Sequence, residues 1–234
     1  MRHFHDQLQD LLQKIVLMGT AAESMIQIAT RAMMERNEAL TDAVLAKERT
    51  VNAMQIEIDE LAVRLTALQQ PVGADVRFLF MATRITTELE RIGDQACNIC
   101  QNLHFVLQVP PLRPLVDLPI MAELAQKMVR DSLTAMINRD CAMAEKVMQE
   151  EETVDAFRDQ IFRTLLTHMM ADPGTIQRAI SLILISRNLE RIGDHANNIA
   201  EEVIYWVQGR DVRHPSLRNG EPRDGGHSSA TQTM

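Results

Sequence analysis

Aromatic side chains make up only 3% of this 234-residue chain, with one Trp, one Tyr and six Phe. With few β-branched runs and much Ala, Leu, Met, Glu and Gln, that scarcity argues against sheet and for helix. Cysteine is sparse and odd in number, at three. A disulfide framework does not fit that count, which predicts a reduced, cytosolic protein. No stretch approaches the roughly 18 apolar residues of a spanning helix. The best runs, Phe78–Met81 and Ile180–Ile185, break within a few residues. The opening Met1-Arg-His-Phe-His-Asp-Gln segment has no apolar signal core. A basic run is also missing: Lys and Arg number 24 against 32 Asp and Glu, a formal charge of −8. That balance suits metal cations or basic protein surfaces and is poorly suited to wrapping nucleic acid. There is no Gly-rich phosphate loop, no His-Glu-x-x-His and no Ser-His-Asp set with supporting spacing. What remains is 46% hydrophobic and 24% charged residues, enough for a packed core.

Proline placement divides the chain. Pro110, Pro111, Pro114 and Pro119 crowd together, and proline ends helices and stiffens linkers. Pro71 and Pro173, each followed closely by a glycine, read as turns between helices. The predicted organisation is a first three-helix bundle over 1–109, a Pro-rich linker over 110–119, a second bundle over 120–209 and a mobile polar tail over 210–234.

Between these points the apolar residues run in stripes. Leu8, Leu12, Ile15, Gly19, Ala22, Ile26, Ala29 and Met33 alternate spacings of four and three. Phe78 to Val106 and Leu182 to Trp206 do the same, as expected of helices packed nearly parallel or antiparallel. Helices over about 41–68 and 141–170 complete each half. The halves are copies. Leu89-Glu-Arg-Ile-Gly-Asp94 recurs 100 residues on as Leu189-Glu-Arg-Ile-Gly-Asp194. Arg36 matches Arg139, and Thr50-Val51 matches Thr153-Val154, at a shift of 103. The expected fold is all-α, with two pseudo-symmetric antiparallel three-helix bundles in tandem.

The repeat carries acids. Glu90/Asp94 and Glu190/Asp194 stand four apart on one helix face, where like charges repel by ~0.2–0.5 kcal/mol. Gly93 and Gly193 sit mid-helix, costing up to ~1 kcal/mol against Ala. Two unfavourable choices made twice point to something bound, on a face directed away from the core. Residues equally far from a turn share a height in antiparallel helices. Glu151/Asp155 should therefore face Glu190/Asp194 across Pro173, and Glu48/Asn52 should face Glu90/Asp94 across Pro71. Such crowding calls for cations, protonation or arginine partners. Oxygen donors suit Mg, Mn, Ca or ferric iron, and zinc also fits. The bland account is ordinary surface ion pairing with Arg91, Arg187 and Arg191.

Other features read as structural. Cys97-x-x-Cys100 lies within a helix without a second cysteine pair and reads as two free thiols. His195 adjoins Asp194, but Gln95 takes its place in the first copy, so it reads as solvent-facing. Met18, Met25, Met33 and Met34 read as core filling. Asp75 and Arg77 follow a turn and read as a local cap and pair.

The duplicated Leu-Glu-Arg-Ile-Gly-Asp motif resembles the PhoU family of phosphate-signalling proteins. Gln70-Pro-Val-Gly-Ala-Asp-Val-Arg77, Glu151-x-x-Val154-Asp155, Gly193-Asp-His-Ala-Asn-Asn-Ile199 and Tyr205-x-x-Gln208-Gly209 fit it too. The likeness covers about residues 3–213. It implies two three-helix bundles and multinuclear metal clusters, iron or zinc, on acid pairs matching Glu48/Asn52, Glu90/Asp94, Glu151/Asp155 and Glu190/Asp194. Position 52 departs from the family pattern, which often has Asp there. The resemblance implies a non-enzymatic cytoplasmic adaptor. Its partners would be the ATPase subunit of the phosphate ABC transporter and a membrane sensor histidine kinase. It would repress the phosphate regulon and restrain uptake when phosphate is plentiful. A homodimer is expected on base rates. Two rivals stay open: a carboxylate-bridged metalloenzyme of the di-iron bundle type, and a structural helical dimer without metal.

Overall fold

The computed structural model of the chain describes residues 2–112 and 117–213. Among the described residues there are six long helices and no strand. They are α1 (Arg2–Glu35), α2 (Thr41–Gln69), α3 (Ala74–Leu107), α4 (Asp117–Asn138), α5 (Cys141–Ala171) and α6 (Ile176–Gln208). Helices α1–α3 form one antiparallel bundle and α4–α6 its pseudo-symmetric copy. Leu118 and Pro119 belong to the first turn of α4, where proline's missing N–H is no loss. Pro114, Pro215, Pro222 and residues 214–234 of the expected tail lie outside the described residues. The tail's opening, Arg210–Arg213, is described, and its Val212 is buried.

The central stripes are buried as the periodicity requires. Phe78, Ala82, Ile85, Leu89, Ile92, Ala96, Ile99, Leu103 and Val106 of α3 are all in the core. The matching stripe of α6, Leu182 to Trp206, is buried throughout as well. The burial is wider than the stripes, because α3 and α6 also pack on each other along their length. On α1 a second fully buried row appears, Leu11, Met18, Met25 and Ala32, since α1 touches α2, α3 and α4.

The antiparallel pairing of α3 and α6 puts the start of one beside the end of the other, and arginines tie the ends. Arg77 Nε donates to the Trp206 carbonyl at 3.2 Å. At the opposite end of the contact Arg178, near the start of α6, donates to the Pro110 carbonyl. A cation suits the unsatisfied carbonyls of a helix C-terminus. The sequence reading of Arg77 as a local cap missed this reach into the other bundle. Arg36 and Arg139 take the left-handed φ of 52° and 53° that ends α1 and α4. Arg36 Nη2 donates to the Val106, Leu107 and Val109 carbonyls at 3.1, 2.9 and 2.6 Å. Arg139 lies 4.7 Å over the Trp206 ring. In each bundle the first turn is thus fastened to the far end of the third helix.

The two repeat glycines have room. A Cβ on Gly193 would sit 3.5 Å from Val154 Cγ1 and 3.6 Å from Met128 Sδ, ordinary contact distances. Gly19 is different, because a Cβ there would lie 2.7 Å from both Leu133 methyls, where α1 crosses α4. Gly19→Ala is therefore expected to cost about 1–3 kcal/mol through overpacking. Gly193→Ala should be neutral or gain up to ~1 kcal/mol in helix propensity. Urea denaturation midpoints of the two variants check the contrast.

Candidate functional site: two acidic faces and a charged seam

The first face lies between α2 and α3. Glu48 and Asn52 come from α2, Glu90 and Asp94 from α3, and all four are half-buried. Beneath them Val51 is fully buried against Gly93. The expected outward face is thus a partly covered groove. The stripe sends these acids off the core axis, and α2 packed along α3 covers them in part. Burial raises the Glu90 carboxyl above its ordinary value, and the charges of Asp94 and Glu48 add to that. The Cys97 thiol is pushed up to about 12 by burial, helped by the Glu48 charge and the hydrogen bond it gives Glu48. Asn52 Oδ1 is buried without a hydrogen-bond partner.

The second face lies between α5 and α6 and is arranged differently. Burial, with the charges of Glu190 and Asp155, raises the Asp194 carboxyl to about 6. Arg158 Nη1 reaches Asp155 Oδ1 at 3.2 Å and also Glu190, bridging the two helices. Its Nε and Nη2 hold Asp159 Oδ1 at 3.1 and 2.9 Å. Glu151 is half-buried one turn before Asp155. Among the described residues, no three carboxylate, imidazole or thiol side chains converge tightly enough to hold an ion as placed. The donor chemistry of the first face still fits a hard or borderline cation, and its orphaned amide oxygen offers an open acceptor. The bundle interior holds aliphatic and methionine side chains, not the inward Glu-x-x-His ligands of a di-iron bundle. Cys97 and Cys100 are free and buried, and burial likewise pushes Cys100 up to about 12. Neither is a poised nucleophile.

A third group of charged residues went unnoticed in the sequence. On the seam between α3 and α6, Glu88 accepts from His195 Nδ1 at 2.7 Å and from Asn198 at 3.0 Å. Arg91 stands 3.5 Å away. Burial works to raise the Glu88 carboxyl, but these bonds and charges together hold it below its ordinary value. Nearby, Arg84 donates to both oxygens of the buried Glu202, at 3.0 and 3.1 Å, and Arg213 approaches the same carboxylate at 3.6 Å. Glu88, Arg91, Asn198, Arg84, Glu202 and Arg213 line a polar cavity of about 560 Å³ that also reaches Asp59. His195 is therefore not solvent-facing: the α3–α6 contact covers it, leaving the side chain 14% exposed. The available signal was the broken repeat. Glu88, Arg84, His195 and Glu202 stand where the other copy has Asn188, Leu184, Gln95 and Asn102.

Two outcomes follow from these environments. In chelated protein, a folded Asp194 near 6 holds a proton between about pH 4 and 6 that the unfolded chain releases. Stability therefore falls as pH rises through that window. Asp194→Asn should flatten that fall and raise stability at pH 7–8 by on the order of 1–2 kcal/mol, read from urea midpoints against pH. Glu88→Gln should cost about 1–3 kcal/mol at neutral pH by weakening a nearly buried hydrogen-bonded group. The exposed control Glu60→Gln should do little. Because the Glu88 carboxyl is held low, its contribution is present above its unfolded value and is lost as the pH falls through the folded one.

Comparison with known proteins agrees with the repeat. A family model described as the PhoU domain matches twice, over residues 15–103 and 118–203. The chain is 35% identical over 218 residues to the phosphate-specific transport system accessory protein PhoU homolog of Pseudomonas putida, covering 93% of this chain and 85% of that one. It is 34% identical to the homolog of the same name from Aquifex aeolicus, covering 91% and 96%. The crystal structure of PhoU from Pseudomonas aeruginosa superposes with a TM-score of 0.85 at 35% identity, covering 88% of this chain and 99% of that one. A Streptococcus pneumoniae PhoU structure, at 24% identity and a TM-score of 0.83, has the same fold. With both halves matched and the similarity running through nearly the whole chain, the protein belongs to the PhoU family.

Proposed function

We propose that this protein is a cytoplasmic, non-catalytic regulator of phosphate homeostasis. It couples the phosphate ABC transporter, through its ATPase subunit, to a sensor histidine kinase. It represses the phosphate regulon and restrains uptake when phosphate is plentiful. The observation that carries this reading is the similarity to accessory proteins of phosphate-specific transport over more than nine-tenths of the chain. These relatives are named as accessory proteins and not as enzymes. No helix among the described residues is long and apolar enough to cross a membrane, so the reading places contact with the membrane in the partners. Exposed apolar residues on the α2–α3 and α5–α6 pairs, among them Val63 and Phe80 on one and Phe162 and Ile180 on the other, offer material for such contacts.

The reading includes a homodimer and a cation at the acidic faces. Glu48, Asn52, Glu90 and Asp94 would hold an iron or zinc ion on the first face, and Glu151, Asp155, Glu190 and Asp194 are the corresponding set on the second. A bound ion would supply charge neutralisation between facing helices. The protein's own part is to present oxygen donors from two helices and to back them with a dry aliphatic floor.

The test is a pull-down of the transporter ATPase and the kinase by this protein, at high and low inorganic phosphate, with and without chelator. Retention of both partners, with phosphate changing the balance between them, is the expected result. Retention of neither under any condition rejects the adaptor reading. Chelator-insensitive retention rejects a metal requirement alone.

A further inference from the structure

The two acidic faces are copies in sequence but not in electrostatics, and one side chain makes the difference. In the register that pairs Glu48 with Glu151 and Asn52 with Asp155, Gln55 pairs with Arg158. The copy that has the additional carboxylate at 155 also has a cation three residues later on the same helix face. Arg158 Nη1 stands between Asp155 of α5 and Glu190 of α6, the place where a cation joining the two helices would have to sit. The rest of its guanidinium is occupied by Asp159 through Nε and Nη2. The group is thus anchored on both sides and is not a loose surface arginine: its side chain is 29% exposed and that of Glu190 is 19% exposed. A divalent ion entering there meets a fixed positive charge and finds two of its oxygen donors engaged. On the first face the equivalent residue, Gln55, has no charge, and Asn52 Oδ1 is left buried and unpaired.

We propose that Arg158 is the resident counter-cation of the second face, so that this face is held together without metal and any bound ion is confined to the first. The inference departs from the two-face metal reading above. It does not rest on the adaptor role, which neither arm of the test touches.

The experiment uses the full chain, stripped with chelator and then titrated with Zn(II) or Mn(II) alone. Bound equivalents are counted by elemental analysis, and melting temperature is followed with and without metal. Asp194→Asn should leave the wild-type metal count unchanged. Arg158→Gln should gain at least one equivalent, and its melting temperature should become metal-dependent. Adding Asp194→Asn to Arg158→Gln should abolish both gains. Arg158→Lys, which keeps the charge, should behave as wild type in metal count. Loss of metal from Asp194→Asn alone overturns the proposal, as does an Arg158→Gln variant that gains none. If Arg158→Gln fails to fold, the Asp194→Asn count decides by itself: an unchanged count supports the proposal and a reduced one rejects it.

Discussion

The antiparallel contact of α3 with α6 organises the molecule. Each of these helices must bury one stripe in its own bundle and a second against the other bundle, so neither has a wholly wet face along the contact. That double demand explains why their buried residues outnumber those of α2 and α5, where five core positions each suffice. It also explains why polar residues are drawn indoors. Gln95, Asn188, Asn197, Glu201 and Glu202 are all buried on the two central helices. Buried polar groups are tolerable when paired; Glu202 is paired with Arg84, and the half-buried Glu88 with His195 and Asn198, whereas Gln95 Oε1 and Asn197 Oδ1 are left without a hydrogen-bond partner.

The acidic faces are set by the same arrangement. Once α3 and α6 stand at the centre, α2 and α5 lie along their flanks, and the acids of the repeated motif fall into the resulting grooves. Half-burial there raises Glu90 and Asp194 by the same physical cause, desolvation followed by like-charge neighbours. The two grooves answer that strain differently. One dilutes its charge with the amide of Asn52, and the other inserts the guanidinium of Arg158. A duplicated motif therefore need not mean a duplicated function.

Much of the fold was legible in the sequence because helical periodicity and proline placement are local signals. The stripes of α3 and α6, the turns at Pro71 and Pro173 and the duplication could all be read without coordinates. What escaped was contact between elements distant in sequence. The stripe of α1 undercounted its core, omitting Leu11 and Ala32, because nothing local reports that a third neighbour, α4, lies alongside. Likewise His195 looked exposed, since Glu88 is over a hundred positions away in the chain. The mid-helix Gly193 invited a ligand explanation, whereas the structure shows ordinary room around it for a methyl group. For the candidate site, spacing could bring acids to one height but could not tell whether an arginine would settle among them.

The broken symmetry along the seam constrains how the halves can be joined. Glu88 belongs to the first copy and its imidazole partner to the second. A protein assembled from two first copies would offer Gln95 to that carboxylate, and one assembled from two second copies would set His195 against Asn188. Arg84 and Glu202 are divided between the copies in the same way. Each half thus complements the other, because the charged pairs along the seam form only between unlike copies.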